Sequence, residues 1–316
     1  MQIISASRRT DIPAFYGEWF INRIRAGYCL WKNPFNAKQI SRVSLAPEDV
    51  IAIVFWTKNP RPFFRYLPEL DSRGYRYYFQ FTVNGYGPEM EPYLPPLAER
   101  IDTFRRLAEM VGPERVIWRY DPIVFSNVHT IEFHREKFAS ILAQLRDYTR
   151  RVVVSIVDDY RKATVNFRRL KAEGITVAAP PEPVLQELAS FLAAEAKKAG
   201  LEIQSCAENL PFLQRAGIMP GKCVDADLIE KIFSLSLPAK YHLKDKSQRA
   251  ECGCVVSKDI GVYDTCLHGC KYCYAGSYET SRKNYARHDP ASPLLVGSYE
   301  EEGGGREGQM SLFMDF

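Results

Sequence analysis

The sequence lacks several features that would narrow its class at once. It has no hydrophobic run of the length needed to cross a membrane. The apolar run near its N-terminus, Ile3-Ile4, is too short for a secretory signal, so export is not expected and the cytoplasm is. The formal net charge is only +4, which excludes a chain built as a polycation for nucleic acid. No G-x-G-x-x-G follows the first strand-like run, so a dinucleotide-binding sheet gains no support. What remains is an ordinary enzyme-like composition of 316 residues, 46% hydrophobic and 25% charged, with 8 cysteines. Cysteines in a chain without an export signal point to metal or redox chemistry rather than to disulfides.

The patterning alternates between strand and helix. Continuous apolar runs at residues 50–56, 77–83, 116–118 and 152–157, and a shorter one at 201–204, read as strands buried on both faces. Between them lie helical stretches at 16–26 (stopped by Gly27), 62–70, 97–111, 131–145 and 183–199. Residues 31–39 are loop-like, 225–235 read as a helix, and the chain loses pattern after Ala275. This alternation predicts a parallel sheet with helices outside it, either doubly wound or a β/α barrel. The barrel is favoured because each strand ends in polar residues, which is where barrel chemistry sits. Those residues are Arg8, Arg9 and Asp11; Thr57 and Lys58; Gln80 and Asn84; Arg119 and Asp121; Asp158 and Asp159; Glu208 and Asn209. Residues 1–299 are read as one α/β domain with a cysteine-rich portion at about 206–275. Residues 300–308 are Glu, Gly and Arg, a linker by composition, leading to a short apolar tail that ends at 316.

The chemistry concentrates in Cys266-Leu267-His268-Gly269-Cys270-Lys271-Tyr272-Cys273. Gly269 argues against a regular helix and for a loop able to wrap a metal centre. Three thiolates on a four-iron cluster leave one iron open, the condition for catalysis. The alternative is a zinc site completed by Cys252 or Cys254.

This spacing resembles the cluster motif of the radical S-adenosylmethionine (SAM) enzymes. The wider run over residues 260–275 is most similar to the spore photoproduct lyase branch. Ser7 to Asp11, Thr57-Lys58-Asn59, Glu91-Pro92 with Pro95, and Asp121-Pro122-Ile123 resemble that branch's later strands, in order. Its cluster motif normally lies near the N-terminus. Here it follows most of the chain, as in an uncharacterised bacterial family with a C-terminal cysteine cluster, which the whole chain resembles. The order implies a circular permutation, with the motif-bearing first strand, about residues 259–263, moved to the C-terminal end of a partial β/α barrel.

The resemblance implies a [4Fe–4S] cluster on Cys266, Cys270 and Cys273, with SAM on the open iron and an electron donor such as a flavodoxin or ferredoxin. The Gly-Gly-Glu-like run that usually binds SAM is absent, as it is in the photoproduct lyase branch. Candidates to hold SAM are Arg8, Thr10, Asp11, Lys58 and Arg119. Lys58 and Arg119 suit its carboxylate, and Asp11 its ammonium or ribose. Cys29 reads as a buried structural thiol, with a hydrogen-donor role as the alternative. Cys206, Cys223, Cys252 and Cys254 are candidate ligands of a second iron–sulfur or zinc centre, against core thiols at Cys206 and Cys223. In the tail, Gln309-Met310-Ser311-Leu312-Phe313 resembles the peptide by which bacterial repair proteins dock on the DNA sliding clamp. Gln309, Leu312 and Phe313 would be its contacts, against a tail packed on its own domain. That points to a DNA lesion as substrate, approached past Trp31, Phe35, Arg8, Arg9 and Lys32, with a small-molecule or protein substrate, or a non-catalytic iron–sulfur or zinc-binding protein, as the alternatives.

Overall fold

In the computed structural model, residues 1–34, 36–157 and 161–297 are described. The chain opens with β1 (Gln2–Ala6), followed by α1 (Ile12–Phe15), α2 (Gly17–Ala26) and an antiparallel hairpin, β2 (Tyr28–Asn33) with β3 (Asn36–Ser44). Then β4 (Val50–Thr57), α3 (Leu67–Ser72), β5 (Tyr77–Thr82), α4 (Leu97–Val111), β6 (Val116–Ile123), α5 (Ile131–Leu145) and β7 (Arg151–Ile156) alternate as the patterning anticipates. They are followed by α6 (Arg161–Ala172), α7 (Glu182–Lys198), β8 (Glu202–Ser205), α8 (Pro211–Arg215), β9 (Met219–Pro220) and α9 (Ala226–Phe233). The two-residue β10 (Lys258–Asp259) and α10 (Tyr278–Tyr285) complete the described elements.

Among the described residues one sheet carries eight strands in the order β10-β1-β4-β5-β6-β7-β8-β9, each pair parallel. The two faces are covered differently. Ile4, Ile53, Phe55, Tyr77, Phe79, Trp118 and Val154 pack with Trp19 and Phe20 of α2, Phe104 and Leu107 of α4, Phe138 and Ile141 of α5, and Leu188 and Leu192 of α7. Their alternate neighbours Ile3, Ala52, Val54, Tyr78, Ile117 and Val153 pack instead with Cys223, Val224, Leu228 and Ile229 and with Cys252, Cys254 and Val255. The crossover helices therefore lie on one face, joined there by Phe212 and Leu213 of α8, and the stretch between β9 and β10 fills the other, a singly wound arrangement rather than a doubly wound one.

The segment after β9 folds back over the sheet. Strands are spaced about 4.8 Å apart, so β5 and β9 would stand about 19 Å apart in a flat sheet. Yet Tyr78 Oη and Gln80 Nε2 of β5 donate to the carbonyl of Cys223, three residues beyond β9, at 2.6 and 2.9 Å. The segment after β9 also meets the one before β10, where Val255 N donates to Val224 O at 3.0 Å.

Three expectations need correcting. Residues 31–39 belong to a hairpin, in which Trp31 pairs with Ser41 and Lys32 with Ile40, and not to a loop. Its polar composition and Asn-Pro turn hide the pairing. Residues 276–297 are ordered: α10 forms, Leu295 enters the core, and Trp19 Nε1, Asn22 Nδ2 and Arg23 Nη2 donate to the carbonyls of Ser292, Pro290 and Ala291 at 3.0, 3.1 and 2.9 Å. The strand expected at 259–263 is β10, shorter and slightly earlier. Asp158, Asp159, Phe35 and the tail residues Gln309, Leu312 and Phe313 lie outside the described residues.

Candidate functional site

The loop carrying Cys266, Cys270 and Cys273 is fastened from several sides. Tyr16 Oη donates to Thr265 O at 2.7 Å, His268 Nε2 lies 2.8 Å from Asp11 Oδ2, and Lys271 N donates to Met90 O at 2.9 Å. Gly269 has φ +68°, and a Cβ there would sit 2.7 Å from the Tyr93 ring, so both conformation and space call for glycine.

Tyr272, inside the motif, reaches a buried ionic knot. Its hydroxyl donates to Glu91 and accepts from Lys58 Nζ at 2.7 Å. Glu91 also pairs with Lys58 Nζ at 2.9 Å and Arg100 Nη1 at 2.8 Å. Burial opposes ionisation of Glu91, but Lys58 and Arg100 outweigh it and hold the carboxyl below its ordinary range. Glu91 was not expected as a site residue, because its partners are distant in sequence and a buried carboxylate has no local signature.

Apart from Cys29, every cysteine lines one cavity of about 500 Å³ at the C-terminal ends of the strands. Arg8, Lys58, Arg119, Asp121, Tyr263, Tyr272 and Tyr274 also line it. Cys29 is buried in the helix-covered core instead, where burial raises its thiol to about 12.

The candidate cofactor residues separate into two groups. Arg8, Lys58 and Arg119 face the cavity. Asp11 and Thr10 are buried outside its lining. Asp11 caps α1 at Ala14 N (2.9 Å), accepts from Lys58 N (2.7 Å) and holds His268, so its carboxylate ties three segments together. Arg119 pairs with Asp121, which also accepts from Ser155 Oγ, and it donates to Gln80 Oε1 at 3.2 Å and to Cys223 Sγ at 2.8 Å.

The thiols differ in their surroundings. Burial pushes Cys270 up to about 12, against the pull of Lys58. Cys206 is lowered to about 7, first by its hydrogen bond with Cys223 and further by Arg119, against the effect of burial. Cys254 is lowered as well, by hydrogen bonds with Cys223 and Cys252 and by the charge of Arg8.

A neighbouring cavity of about 270 Å³ shares Arg8, Tyr263 and Tyr274 with the first and adds Arg9, Trp31 and Lys258. Lys258 Nζ stands 3.9 Å from the Trp31 ring centre, and the Arg9 guanidinium 5.7 Å from Trp31 and 5.0 Å from Tyr263. Lys32 is exposed on the hairpin and does not line either cavity.

The family model described as "Domain of unknown function (DUF1848)" matches residues 3–275. The chain belongs to this family. The match takes in every strand of the sheet except the first residue of β1, together with all the cysteines, and stops before α10. No curated relative matches the chain. No helix among the described residues is long and apolar enough to cross a membrane.

Proposed function

We propose that this protein is a radical SAM enzyme built on a permuted, partial β/α barrel, with a [4Fe–4S] cluster on Cys266, Cys270 and Cys273. The observation that carries this reading is the convergence of the C-x3-C-x2-C thiols with buried cations in one cavity at the C-terminal ends of parallel strands. The donor set fits a cluster better than a single zinc. Zinc–sulfur bonds of about 2.3 Å put ligand sulfurs about 3.8 Å apart, whereas the three sulfurs here do not all lie within 4.8 Å of one another.

Sheet order supports the permutation. Counted from β10, the strands cross the sheet in strict chain order, β10, β1, β4, β5, β6, β7, β8, β9. A chain cut between β9 and β10 would have its motif at the N-terminal end.

When bound and reduced by one electron from a donor of the flavodoxin or ferredoxin class, the cluster supplies reductive cleavage of SAM and a 5′-deoxyadenosyl radical. Lys58, beside the motif thiol Cys270, offers positive charge to the SAM carboxylate. Tyr272 and Glu91 hold Lys58 in place. Asp11 positions the loop through His268.

The substrate class we propose is DNA. In support, the smaller cavity sets Trp31 and Tyr263 beside Arg9 and Lys258, with Asp245 and Asp259 also in its lining, so a base would stack on these rings by displacing the cations that now cover them. Docking on a sliding clamp through Gln309, Leu312 and Phe313 rests on sequence alone and is tested by clamp binding of a peptide spanning 303–316.

The primary test is anaerobic. Reconstituted wild type is expected to show a four-iron electron paramagnetic resonance signal that changes on adding SAM, and to release 5′-deoxyadenosine when reduced. Cys266→Ala, Cys270→Ala and Cys273→Ala should each abolish that release. Stoichiometric zinc with no iron, or SAM cleavage retained in all three variants, would sink the reading.

A further inference from the structure

Four cysteines lie outside the three-thiol motif yet face the same cavity. They come from three stretches: Cys206 just after β8, Cys223 after β9, and Cys252 and Cys254 before β10. Cys206 Sγ and Cys223 Sγ are 3.5 Å apart. Cys254 Sγ accepts from the backbone amides of Cys223 at 3.3 Å and Val224 at 3.4 Å, the kind of N–H to sulfur contact that steadies a metal-bound thiolate. The two turns meet backbone to backbone, since a Cβ on Gly253 would lie 3.1 Å from Gly221 O. Gly253 is not in the left-handed region. Space, not φ, calls for glycine there.

The charges around these thiols are unusual for a core. Arg119 Nη1 lies 2.8 Å from Cys223 Sγ. Arg8 lines the same wall, and its Nη2 is buried without a hydrogen-bond partner. Burying a guanidinium nitrogen unpaired is costly, and neutral thiols would do little to offset it. Thiolates on a cluster carry net negative charge and would.

We propose that Cys206, Cys223, Cys252 and Cys254 ligate a second iron–sulfur cluster, facing the SAM cluster across the shared cavity. Four thiolates complete an iron–sulfur centre with no open position, so this site serves electron transfer or charge balance and does not bind SAM. Iron–sulfur is favoured over zinc because, among the described residues, no three cysteine sulfurs all lie within 4.8 Å of one another, whereas a single zinc gathers its ligands to about 3.8 Å. The inference goes beyond the SAM reading and stands without it.

The test uses full-length protein reconstituted anaerobically with iron and sulfide. A variant with Cys266, Cys270 and Cys273 all changed to Ala should retain about two to four irons per chain with matching acid-labile sulfide, and a reduced-state resonance signal that SAM does not alter. The variant with Cys206, Cys223, Cys252 and Cys254 changed to Ala should lose that complement and keep the SAM-sensitive signal. Circular dichroism and gel filtration check folding. If the fourfold variant does not fold, Cys252→Ser alone should still lower the iron retained in the three-Ala background at least twofold. An iron-free three-Ala variant overturns the proposal, as does one holding zinc without iron or a Cys206–Cys223 disulfide in the anaerobic protein. Iron retained in the three-Ala variant and absent from the fourfold one supports this site while refuting the SAM cluster, so the two failures are distinguishable.

Discussion

Glu91 offers the sharpest test of how the motif loop is held. Its side chain is 1% exposed and neutralises two cations that are themselves buried, Lys58 at 15% and Arg100 at 3% exposure. Glu91→Gln keeps the shape and removes the charge. Lys58 and Arg100 then share a buried site without a counter-ion, and breaking such a pair from one side costs about 3–5 kcal/mol. Tyr272→Phe removes a hydroxyl that donates to Glu91 and accepts from Lys58, leaving polar groups short of one partner each at a cost of about 1–3 kcal/mol. Because both changes act on one network, the double variant should be less destabilised than the sum of the singles, with a coupling of about 0.5–3 kcal/mol. As a control, the exposed pair Arg135–Glu187 (34% and 56%) should yield under about 1 kcal/mol when Glu187 is changed to Gln.

Chemical denaturation of the apo-protein under reducing conditions measures these values, and iron loss to a chelator measures the loop. If Tyr272 links the ionic knot to the cluster, Tyr272→Phe should lose iron from the motif cysteines faster than wild type while remaining folded. Since Glu91 is held below its ordinary value of 4.5, its contribution is complete above that pH and is lost as the pH falls below it. Glu91→Gln stability within 1 kcal/mol of wild type at pH 7, or additive single and double variants, would show that the knot does not hold the loop.

Other consequences are more local. His134 is fully buried between Tyr120 Oη, 2.9 Å from Nδ1, and Val124 O, 3.1 Å from Nε2, and burial lowers it from 6.5 to about 4. Its neutral form therefore stabilises the fold fully above about pH 6.5, and about 2 kcal/mol should be lost by pH 5, a slope that His134→Gln removes in denaturant titrations. Gly261→Ala would put a Cβ 1.9 Å from Ser7 Oγ and 2.5 Å from Ser7 Cβ, disturbing the hold of Asp259 on Ser7. It should cost about 1–3 kcal/mol by thermal or chemical melt, and a neutral result would mean β10 is not seated as described. Trp31→Ala should weaken binding of a single-stranded oligonucleotide by about 1–3 kcal/mol, and Arg9→Ala should reduce its salt slope by about 1, both read by fluorescence anisotropy. If neither variant changes binding, the smaller cavity is not the DNA approach.

Local composition made much of the frame legible. The uninterrupted apolar run from Val50 and the stripe of Ile101, Phe104 and Leu107 are signals that tertiary context did not override, and the helices Leu97–Val111 and Ile131–Leu145 fall at their expected residues. The hairpin at Tyr28–Ser44 was hidden by the Asn33-Pro34 break at its turn, although Cys29 and Val43 pair across it and enter the core. The helix Arg161–Ala172 was hidden by a sequence rich in Arg and Lys. The order after Ala275 was hidden because α2 grips that stretch by its carbonyls, and a carbonyl leaves no trace in residue identity. In the site, cysteine spacing was readable. The separation of Arg8, Lys58 and Arg119 from Asp11 was not, because it depends on which neighbours already occupy a carboxylate.

The meeting of the segments that flank the two sheet edges is what turns scattered cysteines into one site. Cys206 and Cys223 follow strands at one edge of the sheet, and Cys252 and Cys254 precede the strand at the opposite edge. In a flat sheet those edges would be about 34 Å apart, seven strand spacings, and no cavity would contain all four. The hydrogen bond from Val255 to Val224 requires the edges to approach, and the apolar packing of Val224, Leu228, Ile229 and Val255 on the inner face stabilises that approach. The permutation proposed above would put its cut between β9 and β10, which share no ladder among the described residues, so moving the termini would interrupt none. A loop that brings the motif cysteines from the C-terminal end of β10 therefore arrives over the strand ends as it would from the start of the chain. The position of the motif along the sequence and its position in the site are independent, and only the second bears on the chemistry.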